Sequence, residues 1–220
     1  MRRAYHIDME ISRQSAELLE EAERGPRART RRLMLETATR LMQAGKTPSV
    51  SEVAEAAEVS RATAYRYFPS QAALVEAVVD AALGPILTWK SRSPDAEERV
   101  EDLFRASLPR LDEFEATFKA ALKLSLDQWG QRKAGASETE PQFMRGHRVE
   151  LLRDALEPLR AHLPKQEVDR LAQALSLIFG IEALVVLKDI WGLDSKGAET
   201  VATWAALTLV RAATQLNRED

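Results

Sequence analysis

S-V-S-E-V-A-E-A-A-E-V-S-R-A-T-A-Y-R-Y-F-P-S-Q, from Ser49 to Gln71, spells two short helices and the turn between them. Ser49 precedes the apolar set Val50, Val53, Ala54 and Ala57, with Glu52 three residues after it. That is the capping-box arrangement that opens a helix. Glu58, Val59 and Ser60 make the turn, and Ser60 is a suitable N-cap for a second helix over Arg61 to Tyr67. Pro69 ends that helix, because the residue before a proline is pushed out of the helical region. Two short helices joined by so tight a turn are a helix-turn-helix unit.

The second of these helices is an odd core element. Ala64 and Phe68 can face inward with Val59, while Arg61, Thr63, Tyr65, Arg66 and Tyr67 crowd the remaining surface. Exposed Arg, Thr and Tyr on one short helix suit phosphate and base-edge contacts in a DNA major groove. A solvated surface helix whose tyrosines pack against neighbours has the same composition, so the two-helix match alone leaves both readings open.

A longer pattern narrows the choice. S-V-x-x-V-A-x-A-A (Ser49 to Ala57), V-S-x-x-T-x-Y-x-Y-F (Val59 to Phe68) and P-S-Q-x-A-L (Pro69 to Leu74) follow T-R-R-L-M-L-E-T-A-T-R-L-M (Thr30 to Met42), which Gly45 closes. Together these resemble the DNA-binding signature of the TetR (tetracycline-repressor-like) family of transcription regulators. The resemblance implies an all-α fold: an N-terminal three-helix helix-turn-helix DNA-binding domain over 26–80, and a C-terminal helical ligand-binding and dimerisation domain over 81–220. A helical extension over 1–25 would precede them. It further implies a homodimer that lays one Arg61–Tyr67 helix in the major groove at each half-site of a palindromic operator. Ser49, Tyr65 and Tyr67 would then contact phosphates. Arg61 and Thr63 would meet base edges, Arg61 favouring guanine, and the small Ala62 and Ala64 would let the helix approach closely. Ser60, Arg66, Gln71 and Arg29 complete the expected DNA-facing set. Two positions depart from the family pattern. Glu58 stands where glycine is usual in the turn. Gln71 stands where many members carry lysine, so a phosphate contact there would be neutral.

The formal charge of -3 looks wrong for a DNA binder until it is divided along the chain. From Arg24 to Gln71 nine basic residues face four acidic ones, a local +5 that leaves -8 to the rest. An electrostatic footprint confined to one domain has this form. At 220 residues and 45% hydrophobic content the chain can build a sizeable core. It has no cysteine, which removes disulfides and thiolate metal sites and fits a reducing compartment. No apolar run is expected to span a bilayer, and the polar N-terminus lacks a signal peptide's apolar core. The expected location is the cytoplasm, with no membrane partner.

In chain order, Ile7, Ile11, Leu18 and Ala22 fall near helical spacing within Met1 to Glu23. Arg2 and Arg3 there suit either a minor-groove arm or a frayed terminus. Gly25-Pro26 breaks this lead-in from a helix over Arg27 to Ala44, with Leu33, Leu35, Ala38, Leu41 and Met42 as its buried stripe. Arg27, Arg29, Arg31 and Arg32 crowd the N-terminal end of that helix against its dipole, which suits phosphate contact and a solvated run alike. Ser70 then caps a helix burying Leu74, Val75, Val78, Val79 and Leu83 as far as Gly84-Pro85. Ser93-Pro94 is expected to open the next helix, Pro109 to interrupt it, and Leu111 to Trp129 to form another. Gly130 to Pro141 reads as loop, and Gln142 to Leu163 as a helix bent near Pro158. Lys165 to Trp191 is apolar nearly all round, and Asp194 to Leu216 follows it. These last two helices fit a buried core pair or a four-helix packing about a two-fold axis. The resemblance implies the second, with Leu175, Ile178, Leu184, Val201, Trp204, Leu207 and Thr208 in a dimer interface.

Signs of catalysis are few. His6, His147 and His162 are scattered, and no P-loop, H-E-x-x-H pair or nucleophile elbow occurs. The expectation is a protein that is not an enzyme and carries no metal or cofactor. Trp89, Phe114, Phe118 and Trp129, with Phe143, Met144 and Phe179, are candidates for an apolar ligand pocket, or else plain core. His147 lies on a helix that in the resembled family lines the ligand cavity; it would touch ligand or pair with a nearby carboxylate. The expected partners are duplex DNA, a second copy of the chain and an unidentified small-molecule effector. Three alternatives stand beside this. A regulator whose C-terminal domain only dimerises would show no ligand-dependent affinity, a small helical enzyme would show turnover, and a protein-interaction module would bind no specific duplex.

Overall fold

The computed structural model describes residues 25–135, 141–143 and 146–216. The expected extension with Arg2 and Arg3, and the pocket candidate Met144, lie outside these residues. Every regular element among the described residues is helical.

Helix α1 (Pro26–Gln43) starts with Gly25 as an extended N-cap and Pro26 at its first position, where a missing N–H costs nothing. It ends in a Schellman motif: Gly45 turns to φ +77°, and the Gly45 and Lys46 amides donate to the carbonyls of Met42 and Leu41. Its buried stripe is Met34, Thr37, Ala38 and Met42. Leu33, expected inside, is 44% exposed. Positions 34, 38 and 42 repeat every four residues along one face, and Leu33 sits about 100° away from that line.

Helices α2 (Val50–Ala56) and α3 (Arg61–Tyr67) have the expected bounds. The capping box is complete, since Ser49 Oγ accepts from the Glu52 amide at 3.2 Å and Glu52 Oε2 from the Ser49 amide at 2.7 Å. Helix α4 (Gln71–Leu83) is capped by Ser70 Oγ and stopped by Gly84 at φ +50°, after which Gly84–Thr88 forms a 3-10 turn. By composition Gln71–Thr88 is apolar enough to cross a membrane, with mean hydropathy 1.4, contrary to the sequence expectation. In the fold it is a core element: Leu74, Val75 and Val78 are fully buried, and the helix packs on α1 and on α6.

The remaining helices shift several expected boundaries. Helix α5 (Ala96–Glu113) begins two residues later than Ser93-Pro94 suggested, because the Asp95 carboxylate accepts from the Glu97 amide at 2.7 Å. It also runs straight through Pro109, whose exposed position leaves the freed carbonyl open to water. Helix α6 (Glu115–Lys133) follows after Phe114 and continues past Gly130. Helix α7 (His147–Ala155) begins later than Gln142, and a 3-10 turn at Glu157–Ala161 replaces the expected bend at Pro158. The predicted single helix from Lys165 to Trp191 is broken. Helix α8 (Lys165–Ser176) stops before Gly180, at φ +134°, and α9 (Ile181–Leu184) continues as a π turn over Val185–Ile190. Helix α10 (Ser195–Leu216) is the last described element, with Asp194 Oδ1 accepting from the Gly197 amide.

Small residues decide how α10 packs. Ala198, Ala202, Ala206 and Val210 are buried at four-residue spacing, so the helix lies close along α5. Around the π turn, Lys188 Nζ meets Asp112 and Glu115 at 2.5 Å each, and Lys119 meets Glu115 and Asp189 at 2.7 Å. These ion pairs tie the π turn to the junction of α5 and α6.

Candidate nucleic-acid interface and the cavity behind it

Helix α3 presents its side chains in two sets. Ala64 is buried, and Phe68 beyond the helix end joins it in the core, whereas Arg61, Ala62, Tyr65 and Arg66 are exposed. Ala64 therefore packs inward and does not ease an approach to a groove; Ala62 remains free to do so. Tyr67 is half-buried against the core, with the Arg66 guanidinium 5.5 Å above its ring. The turn that sets α3 against α2 passes through Glu58 at φ +54°, the left-handed region that the family pattern fills with glycine.

Hydroxyl protons remain available around this helix. Ser60 Oγ accepts from the Thr63 amide at 3.3 Å and donates to Thr63 Oγ1 at 3.0 Å, which leaves the Thr63 proton pointing onward. Ser49 Oγ is likewise occupied as an acceptor only. Tyr65 Oη lies 3.3 Å from Ser51 Oγ, so the ring is steadied against α2 while its face stays open. Such groups donate well to phosphate oxygens. Gln71 is different. Its amide donates to the carbonyls of Thr47 and Pro48 at 3.0 and 3.1 Å, bracing α4 against the loop before α2. Its nitrogen is spent inside the fold, so the role expected for it at DNA does not follow from the geometry.

Arg29 is exposed on the first turns of α1, where Arg31 places its guanidinium 5.6 Å above the Phe68 ring. The basic end of α1 thus lies beside the C-terminal end of α3. Arg32 pairs with Glu36 at 3.6 Å, but both are well exposed and the pair adds little stability.

Behind this unit lies a cavity of about 90 Å³. Helix α4 contributes Val79 and Leu83 to its wall, and Phe118, Phe143, His147 and Phe179 line it as the sequence suggested. Three other candidates lie elsewhere. Trp89 faces an outer groove and donates its indole N–H to Asp102 at 3.1 Å. Phe114 sits under the Arg110 guanidinium at 4.8 Å, and Trp129 is exposed on α6. The outer groove shares Gly146, His147 and Leu151 with the cavity and so forms its approach.

Two contacts fasten α4 to the body. His147 Nε2 and Asp80 Oδ1 are 2.8 Å apart, joining α7 to α4 by a hydrogen bond. Arg110 donates to the carbonyls of Leu83 and Ala81 at 3.2 and 3.3 Å, capping the end of α4, and lies so close to Gly84 that a β-carbon there would press on its guanidinium at 3.0 Å. Asp80 and Arg110 had no visible signal in the sequence, since both contacts join residues far apart in the chain.

On the outer surface of the last helices, Leu177, Ile190, Trp191 and Trp204 are 76%, 73%, 74% and 67% exposed. Val201 and Thr208 are exposed as expected for an interface, and Ile178 and Leu207 are half-buried. Leu175 and Leu184 are corrected: at 0% and 2% exposure they belong to the core of one subunit. Leu175 continues the buried stripe of α8 with Val168, Leu171 and Ala172, whereas Leu184 lies after the break at Gly180, on the buried side of α9.

Comparison with known proteins agrees with this geometry. Residues 34–78 match the family model described as bacterial regulatory proteins, tetR family. No curated protein matches in sequence. Among solved structures, a tetR-family transcriptional regulator from Streptomyces coelicolor superposes with a TM-score of 0.59 at 18% identity, covering 87% of this chain and 85% of that one. A putative fatty acid metabolism regulator from Clostridium perfringens gives a TM-score of 0.54 at 17% identity, over 80% and 97% of the two chains. A TetR transcriptional regulator from Rhodococcus sp. RHA1 gives 0.53 at 19%, over 84% and 97%. At these identities the likeness is one of fold.

Proposed function

We propose, from the match of residues 34–78 to the tetR family model, that the chain is a homodimeric TetR-family repressor released from a palindromic operator by a small molecule. The observation that carries the reading is α3: a short helix with one buried face and Arg61, Tyr65 and Arg66 exposed together on the other. Residues 26–80 form the DNA-binding domain in this reading, and 81–220 the body that dimerises and takes the effector. Arg61 and Thr63 face base edges; Ser49, Tyr65 and the basic end of α1 face phosphates. The protein acts on DNA in the cytoplasm and catalyses no reaction.

Two copies are needed to read two half-sites, and the apolar side chains left in water at Leu177, around the π turn and on α10 favour a second copy as their cover. Control by a ligand is supported by α4, which lines the cavity with Val79 and Leu83 and is bonded through Asp80 to His147 in the cavity wall. A ligand that fits better when His147 turns away from Asp80 favours a population in which α4, and α3 with it, is displaced. Operator binding must then weaken the ligand by the same factor.

Selection of bound duplexes from a random pool, with wild type beside Tyr65→Ala at fixed salt, tests this reading. It expects wild type to recover a palindrome and the variant to lose it. Recovery of no enriched sequence by the wild-type protein, with or without candidate ligands, would defeat it.

A further inference from the structure

Among the described residues, the cavity wall is apolar except at Ser107, His147 and Arg148. Two of these are already engaged. His147 is bonded to Asp80. Arg148 donates to the Ser176 carbonyl at 3.1 Å and pairs with Glu182 at 2.7 Å, and its guanidinium lies against Gly180. Ser107 is different. It is fully buried, and its Oγ has no hydrogen-bond partner. Several hydroxyls on helices elsewhere bond the carbonyl four residues back, as Thr39 does to Leu35, Ser176 to Ala172 and Thr214 to Val210; the buried Thr117 on α6 also lacks a partner, but it does not line the cavity. Ser107 makes no such bond, and a buried hydroxyl left unpaired is a standing cost that a ligand can remove.

We propose that Ser107 is the recognition point of the cavity, and that its ligand is a small neutral molecule, apolar over most of its surface, with one group that hydrogen-bonds to Ser107 Oγ. This rests on reading the cavity as the effector site. A charged ligand is disfavoured because the basic groups among the described wall residues, His147 and Arg148, are already committed and offer it no unspent countercharge. Burying an ion without a partner costs far more than burying a hydroxyl with one. A pure hydrocarbon is accepted by the wall but leaves Ser107 unpaired. Size sets a further limit: the cavity, at about 90 Å³, is smaller than the roughly 150 Å³ in which benzene has been held. The ligand is therefore of one-ring or short-chain size and displaces side chains toward the outer groove as it enters.

Calorimetric titration of the full chain with toluene, phenol, benzoate and benzylammonium tests the assignment. Toluene and phenol differ by a methyl against a hydroxyl, and the other two add a charge of either sign. In Ser107→Ala the ratio of phenol to toluene affinity falls about fivefold, the worth of one hydrogen bond, while toluene is unaffected. Benzoate and benzylammonium bind wild type at least tenfold more weakly than phenol. The variant folds as well as wild type, since it loses only an unpaired hydroxyl; its melting temperature checks this. An unchanged phenol-to-toluene ratio, an ion that binds more tightly than phenol, or no binding of either neutral probe would overturn the proposal. Ser107-dependent phenol binding that leaves operator affinity unaltered would instead overturn the effector reading and leave the ligand class standing.

Discussion

Glu58 holds a φ of +54°, the one non-glycine residue with positive φ among those described. A side chain in that region costs on the order of 1 kcal/mol, and the cost falls on the turn that sets α3 against α2. Glu58→Gly should therefore raise stability by about 0.5–1 kcal/mol, the relief being partly offset by the freer unfolded chain of glycine. A denaturation midpoint that stays put or falls would place the strain elsewhere. Arg61, exposed at the start of α3, makes a separate prediction. Arg61→Ala should cost roughly 1–3 kcal/mol on the selected operator and relax preference at one base pair, whereas an equal loss on every duplex would make it a phosphate contact. Single residues were legible wherever their partners are close in sequence: Ser49 with Glu52, Ser60 with Thr63, Ser70 with Ala73. Ser107, Asp80 and Arg148 were not, because their meaning depends on what stands across a cavity or between helices.

Among elements, caps and glycines located α2, α3 and α4 well, and prolines misled. Pro109 sits inside α5 because its position is exposed, and Gly180 breaks a run that reads as one helix, after which Leu184 turns inward; Leu175, before the break, is held by the buried stripe of α8. The π turn after that break is held by charge. Burial pushes the Asp112 and Glu115 carboxyls up, but hydrogen bonds from Lys188 and Ser195 to the first, and from Lys119 and Lys188 to the second, hold both below the usual carboxylate range. Hydrogen bonds to Asp112 and Glu115 raise Lys188 above the usual lysine value. Depressed carboxylates stabilise fully above their ordinary values and lose that contribution as pH falls through the lowered ones. A raised lysine stabilises fully below its ordinary value and loses its share as pH rises through the raised one. The network is thus complete at neutral pH and fails first in acid. Thermal unfolding of wild type and Lys188→Met across pH should show wild type ahead at pH 7 and the gap narrowing below the ordinary carboxylate range. A gap of constant size would mean that Lys188 acts through packing alone.

At the scale of the whole molecule, the positive part of the chain overlaps residues 34–78, which match the tetR family model, and the apolar surplus of the last helices leaves Ile190, Trp191 and Trp204 exposed. The particular residues of that surface needed the fold, since Leu177 is exposed at the end of α8 and Ile190 and Trp191 at the end of the π turn, where the sequence reads as one continuous helix. Trp204→Arg, on the exposed side of α10, should yield monomers in sedimentation and weaken operator binding while leaving the helical content intact. An unchanged mass would move the interface elsewhere.

The central claim is that two α3 helices on one dimer read two half-sites on one face of the duplex. Binding to the selected palindrome should be compared with binding to the same site carrying five extra base pairs between its halves. That insertion turns one half-site by about half a helical turn, given roughly 10 base pairs per turn. Affinity is predicted to drop to that of unrelated duplex. Equal affinity for both duplexes would contradict the dimeric reading.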